Sequence, residues 1–408
     1  MASQQFMEFF IAWGVTIARS YVIQVFAKMK AALGELKLLD IESKLQKEME
    51  LLDNTTLHIA ITGGSGVGKS SLVNALRGLT DDGEGSANTG ETETTMEPQA
   101  YQHPEFSKVK LWDLPGIGTD NFKADQYLKQ VDFSRYDFFI IVVGNRFSEN
   151  DTKLACEIQK MKKKFYYVRS KIDESISNES KKKNFNEAET IQKIRDYCEK
   201  SLKRKGDNSA KVFLITRWDL SKYDFPCLQN ALEEDLDDLK RHVLVMSMPA
   251  FSKEAIKSKE NAMLDLIWKV SLLSCTIRVT PIPFLPVICD TVILVTAMTK
   301  MYKCFGLDED SLHRLGAHVG KPVDELKSAI KNTPTGGAIT TQFVVDYLHR
   351  SKVWVTVSLV ESLLYFIPVL GSLAGGAGAF LTTFYMLTSF LKDVVEDAQN
   401  VLAKSQEK

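Results

Sequence analysis

The chain lacks a charge surplus: 51 Lys and Arg stand against 52 Asp and Glu, for a net charge of −1. No global field therefore recruits nucleic acid, and none is expected as a partner. The lysine runs at 160–164 and 181–183 have no interleaved aromatics for base stacking, so they read as solvated surface. Paired cysteines are also missing. Cys156, Cys198, Cys227, Cys275, Cys289 and Cys304 are scattered, with no C-x-x-C and no histidine at metal spacing. That argues against structural zinc and for reduced thiols in a cytosolic setting. No basic region precedes the apolar start, where Glu8 stands instead, and no A-x-A site follows, so no secretory signal is expected. Ala2 occupies the place where N-myristoylation needs glycine, and the final Gln-Glu-Lys is no prenylation box. Membrane attachment is expected to come from the folded chain itself. There is no internal repeat.

What is present divides the chain into three textures. Its 408 residues, 44% apolar, have room for about two or three domains with a sizeable core. Residues 1–52 read as helical, with Phe6, Phe9, Phe10, Trp13, Ile17, Tyr21 and Val25 at three- and four-residue steps and no proline. Such a short region needs a neighbour to cover its apolar stripe. Residues 53–238 alternate short β-rich runs (57–62, 109–112, 137–143, 165–168 and 212–216) with charged helical stretches, the pattern of βαβ units around a largely parallel sheet. The polar stretch 175–189 reads as a solvated loop. From 239 to 408 the chain turns helical and more apolar.

The most specific signal is Gly63-Gly64-Ser65-Gly66-Val67-Gly68-Lys69-Ser70, between an apolar run and a helical stretch at 71–77. It fits G-x-x-x-x-G-K-[ST]: glycines let successive backbone N–H groups point at phosphate oxygens, Lys69 reaches the terminal phosphates, and Ser70 ligates Mg²⁺. Val67 and Ser71 count with the nucleotide-binding residues. Later comes Asp113-Leu114-Pro115-Gly116 at the end of a strand. Alone it reads as a turn; one β unit after a phosphate loop, Asp113 is placed to hold the metal and Gly116 to leave its N–H for a γ-phosphate. Between them, Thr89-Gly90-Glu91-Thr92-Glu93-Thr94-Thr95-Met96 suits a segment that orders around γ-phosphate and Mg²⁺. One of its threonines is expected on the metal; the sequence leaves open which.

Ser170-Lys171-Ile172-Asp173 closes the next strand and is similar to the [NT]-K-x-D element that selects guanine. The Asp173 carboxylate can accept from guanine N1–H and its exocyclic amine, a pair adenine does not offer, while the Lys171 stem covers the base. Glu174 is grouped with them. Thr216-Arg217 falls where a base-contacting loop belongs, but without the usual Ser-Ala-Lys, and Thr216 is taken as the contact. The expected ligands are thus GTP or GDP with Mg²⁺. One absence concerns catalysis: Ile117, not a water-orienting Gln, follows Gly116, so hydrolysis must draw on another group or a partner molecule.

At this point the chain resembles the immunity-related, interferon-inducible GTPases, a dynamin-like group. The resemblance rests on the nucleotide motifs and on Thr94-Thr95-Met96, Leu111-Trp112-Asp113-Leu114-Pro115-Gly116-Ile117-Gly118, Tyr136-Asp137-Phe138-Phe139, Lys164-Phe165-Tyr166-Tyr167, Tyr223-Asp224-Phe225-Pro226, Lys240-Arg241-His242, Phe305-Gly306-Leu307-Asp308 and Val395-Glu396-Asp397-Ala398. It implies an α/β P-loop G domain with a mostly parallel six-stranded sheet, plus an all-α domain built from the N- and C-terminal segments. It also implies GTP hydrolysis activated by self-association, related GTPases of the family and membrane lipids as partners, and a cytoplasmic protein peripherally attached to endomembranes or pathogen-containing vacuoles. Lys69 matches the Gly-Lys-Ser effector type. Glu93 matches a switch glutamate that acts in activation, and is carried as catalytic with Lys69. Thr89 and Thr95 match the switch threonines; Thr95 is carried as a metal ligand with Ser70 and Asp113, Thr89 and Gly90 as nucleotide contacts.

Two other classes compete with the enzyme: a slow or non-hydrolysing GTP-binding scaffold, favoured by the missing Gln, and an integral membrane P-loop protein. The second rests on the apolar region 353–391. Pro368 and the glycines from Gly371 to Gly378 divide it, so it reads as a buried helix pair, a lipid-dipping helix or a span, and the resemblance favours the first two.

Overall fold

The structure, a computed structural model, describes residues 38–90, 95–117, 124–145, 147–204, 211–220, 222–279, 285–335, 337–350 and 371–407. The expected helix over most of 1–52 is therefore visible only from Leu38 on, as α1 (Leu38–Asn54). A six-stranded sheet follows, in the order β2-β3-β1-β4-β5-β6. Its strands are β1 (Leu57–Gly63), β2 (Gln99–Gln102), β3 (Val109–Asp113), β4 (Phe138–Val143), β5 (Lys164–Arg169) and β6 (Val212–Leu214). All neighbours pair parallel except β2 with β3, so the expected mostly parallel sheet is what forms.

Burial explains the strand sequences. In Phe138–Val143 every residue is buried, because helices cover both faces and alternate side chains enter opposite cores. Phe138, Ile140 and Val142 join one core with Ile59, Ile61 and Leu72. Phe139, Ile141 and Val143 join the other with Leu128, Leu154 and Tyr167. The helices between strands are α2 (Lys69–Leu76), α3 (Ala124–Gln130), α4 (Glu149–Lys160), α5 (Ile172–Glu179) and α6 (Glu187–Arg204).

Two features depart from the sequence reading. β2 is an antiparallel edge strand of mostly exposed residues, with no apolar alternation to betray it. The stretch 175–189 is not one loop: α5 occupies its start and α6 its end, leaving 180–186 as the connection. The polar composition of the stretch reflects exposed surface on both helix ends and their connection, not an absence of helix.

The remaining helices are α7 (Phe225–Asp235), α8 (Asp238–Ser247), α9 (Lys253–Val279), α10 (Leu285–Cys304), α11 (Glu309–Val319), α12 (Val323–Lys327), α13 (Thr341–Arg350) and α14 (Gly371–Gln406). Helix α7 packs in the core under the sheet through Phe225, Leu228 and Leu232; helices α8 to α14 share a third core that holds Leu45 of α1 together with Met263, Ile267, Met298 and Leu387, so both ends of the described chain enter one helical layer. Helix α8 serves two cores: Val243 and Leu244 pack under the sheet, Met246 among the helices. Of the apolar region 353–391, residues 353–370 lie outside the described residues. From Phe380 on, Phe384, Leu387, Phe390 and Leu391 of α14 are buried in the helical core. Among the described residues no helix is long and apolar enough to cross a membrane.

Candidate functional site

From β1 the chain passes to β3 on one side and β4 on the other. The strand order thus reverses beside β1, and a crevice outside the carboxyl ends of the strands is where such sheets bind ligands. A cleft of about 990 Å³ lies there, lined by Gly66, Gly68, Lys69, Ser70, Ser71, Thr89, Gly90, Thr95, Gly116, Lys171, Asp173 and Glu174 among others.

The loop between β1 and α2 needs its glycines. Gly63 has φ 138°, and a Cβ there would meet the Val142 carbonyl oxygen at 2.0 Å. Gly68, at φ 93°, is the N-cap of α2, so the helix starts with its N-terminal N–H groups facing the cleft. Lys69 Nζ donates to the Gly64 carbonyl at 2.9 Å, folding its ammonium back over the loop. The Ser170 hydroxyl donates to the Val67 carbonyl at 2.6 Å. Ser170 thus ties the guanine element to the phosphate loop, a role that motif comparison alone did not suggest.

Below the loop, two hydroxyls converge on one carboxylate oxygen. Ser70 Oγ donates to Asp113 Oδ2 at 2.5 Å, and Thr95 Oγ1 donates to the same oxygen at 3.0 Å. Asp113 is fully buried, and its Oδ1 has no partner among the described residues. Burial pushes its pKa up, and the bonds from Ser70 and Thr95 and the charge of Lys69 pull it back. A buried carboxylate oxygen without a donor suits a cation with hydroxyl neighbours, which fits the residues assigned to Mg²⁺. Among the described residues no cluster of three His, Cys, Asp or Glu offers a different metal centre.

Ile117 is 2% exposed and packs in the sheet core, and its N–H donates to the Gly63 carbonyl at 3.1 Å. Its side chain is therefore committed to packing. Glu93 lies outside the described residues.

At the base end, Lys171 adopts φ 57° as the N-cap of α5, and its ammonium stands 4.0 Å from Glu174. Buried Arg169 braces the turn through the Ser170 carbonyl, Asn145 and Ser175. Thr216 sits differently from expectation. It is 3% exposed, its hydroxyl accepts from the Trp218 N–H at 3.3 Å, and the cleft wall here is Ile215, Arg217 and Trp218. Arg217 donates to Ser71 Oγ at 2.8 Å, pairs with Asp81, and lies 4.0 Å over the Trp218 ring. Asp81 and Trp218 were missed because nothing local in the sequence links them.

Comparison with known proteins agrees with this geometry. Residues 22–405 match the family described as interferon-inducible GTPase (IIGP). Interferon-inducible GTPase 5 of Rattus norvegicus is 38% identical over 367 residues, spanning 90% of this chain and 79% of that protein. Interferon-gamma-inducible GTPase 10 of Mus musculus is 36% identical over 356 residues, spanning 86% and 82%. Interferon-inducible GTPase 1 of Mus musculus is 33% identical over 381 residues, spanning 92% and 88%.

Proposed function

The chain belongs to the interferon-inducible GTPase family and is a GTP hydrolase, and from that premise we propose that the cleft at residues 63–70 holds GTP and is completed for catalysis by a second copy of the chain. The observation that carries this reading is the convergence of Ser70 and Thr95 on Asp113 directly beneath the phosphate loop. The N-terminal N–H groups of α2 and the Lys69 ammonium meet the phosphates, and Gly116 lies at the γ-phosphate end. Ser70, Thr95 and Asp113 would hold Mg²⁺, which when bound would neutralise charge on the phosphate oxygens. Asp173 reads guanine, with Lys171 and Glu174 beside it.

The need for a partner molecule follows from Ile117. Its buried side chain leaves the position after Gly116 without a group to orient water. Glu93, just before Thr95, is the residue we assign to activation across the paired sites. Met96 at 73% exposure and Trp218 at 59% leave large apolar side chains uncovered near the cleft, which suits association there. We place the G domain at 53–238 and the helical domain at 1–52 with 239–408. Action at endomembranes or pathogen-containing vacuoles, through peripheral lipid contact and together with related GTPases, completes the proposal.

Guanine selectivity tests the site. Unlabelled GTP is expected to displace a fluorescent GDP analogue, and ATP to fail at the same concentration. Asp173→Asn is expected to weaken GTP about a hundredfold, since it removes a charged acceptor from two hydrogen bonds. Equal displacement by ATP, or an unaffected Asp173→Asn, would remove guanine from the reading. Lys69→Ala serves as the phosphate-site control.

A further inference from the structure

Gly116 meets a γ-phosphate only through its backbone N–H, so the direction of that N–H decides what the residue can do. The segment around it is stitched to β1 at two points. The Leu114 N–H donates to the Ile61 carbonyl at 3.0 Å, and the Ile117 N–H donates to the Gly63 carbonyl at 3.1 Å. The peptide unit between Pro115 and Gly116 is held in another way, by a side chain.

That side chain is Tyr127 of α3. Its hydroxyl donates to the Pro115 carbonyl at 2.9 Å and lies 3.0 Å from the Thr62 hydroxyl, at the end of β1. With the phenol proton given to Pro115, Thr62 Oγ1 is the donor in the second bond. Tyr127 is buried and packs in the sheet core with Leu114, Ile117 and Leu128. Burial pushes its pKa up, so the hydroxyl keeps the proton it donates.

A peptide unit is one plane, and in its trans form the C=O and the following N–H point in opposite directions. The described residues contain no cis peptide bond. Because Tyr127 fixes the Pro115 carbonyl toward the core, the Gly116 N–H is directed away from it. Gly116 lines the nucleotide cleft, whereas Tyr127 lies in the core behind it. Turning the N–H out of the cleft means rotating the whole plane and breaking the bond to Tyr127.

We propose that Tyr127 is a positioning residue that sets the Pro115–Gly116 peptide for the γ-phosphate and thereby the preference for GTP over GDP. The proposal rests on the cleft being the GTP site with Gly116 at its γ-phosphate end. GDP lacks the group that this N–H meets, so its binding is indifferent to the plane. For GTP the donor is oriented before the nucleotide arrives, and binding carries no cost for ordering it. By reciprocity, bound GTP holds the plane and with it the seating of Tyr127 and α3.

The test is displacement of a fluorescent GDP analogue from the full-length protein by GDP and by a non-hydrolysable GTP analogue, both with Mg²⁺. Tyr127→Phe is expected to weaken the GTP analogue about five- to tenfold, the effect of one lost hydrogen bond, and to leave GDP within about twofold. Thr62→Val, which removes the donor to Tyr127, is expected to shift the ratio in the same direction by less. Tyr136→Phe removes a buried hydroxyl bonded to the Val131 carbonyl at 2.8 Å, and is expected to match the wild type with both nucleotides. An unchanged ratio of the two affinities in Tyr127→Phe overturns the proposal and leaves the GTP site standing. Equal weakening of both nucleotides overturns it as well, because the hydroxyl would then serve the fold alone. A wild type that binds neither nucleotide overturns the reading of the cleft, and this proposal with it.

Discussion

Asp113→Ala is expected to lower GTP turnover about a hundredfold while leaving the nucleotide-free protein no less stable. The two halves of that result come from one geometry. Asp113 is fully buried, one oxygen accepts from Ser70 and Thr95, and the other has no partner among the described residues. Removing the carboxylate takes two bonds from the hydroxyls but also removes a desolvated group whose pKa burial has pushed up. These effects oppose each other, so stability changes little. Hydrolysis has no such compensation if the proposed cation site loses its carboxylate. Phosphate release and thermal melting on one preparation check both halves. Turnover within twofold of wild type would show that Asp113 holds no catalytic cation. A melting temperature lowered in step with activity would make it a structural residue instead.

The largest stability effect is expected far from the cleft, at Asp397→Ala. This fully buried carboxylate in α14 accepts from the backbone N–H groups of Lys331 at 2.9 Å, Asn332 at 3.0 Å and Thr333 at 2.8 Å, and from the Thr333 hydroxyl at 2.8 Å. It is the anchor for the turn after α12. Alanine leaves those donors without their acceptor, a loss of about 3–5 kcal/mol. Asp397→Asn retains one oxygen acceptor and is expected to lose less. Urea unfolding reads this as a lower midpoint with an unchanged slope. A midpoint equal to wild type would mean that the turn finds its partners elsewhere.

Asp397 also shows which parts of the molecule were legible in the sequence. Phosphate chemistry demands particular residue types at particular spacings, so Gly63–Ser70, Asp113 and Asp173 could be assigned in order before any fold was seen. The family motifs were visible as patterns but not as mechanics. In the structure several act as staples. Asp137 accepts from the His58 N–H at 2.9 Å and pairs with Lys240 at 2.9 Å. Asp224 accepts from the Leu214 N–H at 2.9 Å and pairs with Arg195 at 2.7 Å. Gly306, at φ 71°, turns the chain before Asp308 caps α11, accepting from the Ser311 N–H at 3.2 Å.

What stayed hidden was long-range or lacked an apolar pattern. Arg217 reaching Asp81 and Arg314 reaching Glu105 join residues far apart in the chain. The edge strand β2 and the helices within 175–189 expose most of their side chains, so neither carried the periodicity that buried elements print on a sequence. Thr216 was placed by position in the motif order. Its burial follows from the end of β6 at Leu214, which lets the chain turn before Arg217 and Trp218 reach the cleft.

The central claim is that this chain carries one half of a shared hydrolytic site: equipped to hold GTP, but with Ile117 where a water-orienting residue would stand. The most direct measurement is phosphate release from GTP by the full-length protein, expressed per molecule and followed over a wide range of protein concentration. The account predicts a rate per molecule that is low in dilute solution and climbs as the chains associate. A rate per molecule that stays flat across that range would contradict it, because each chain would then complete the reaction alone.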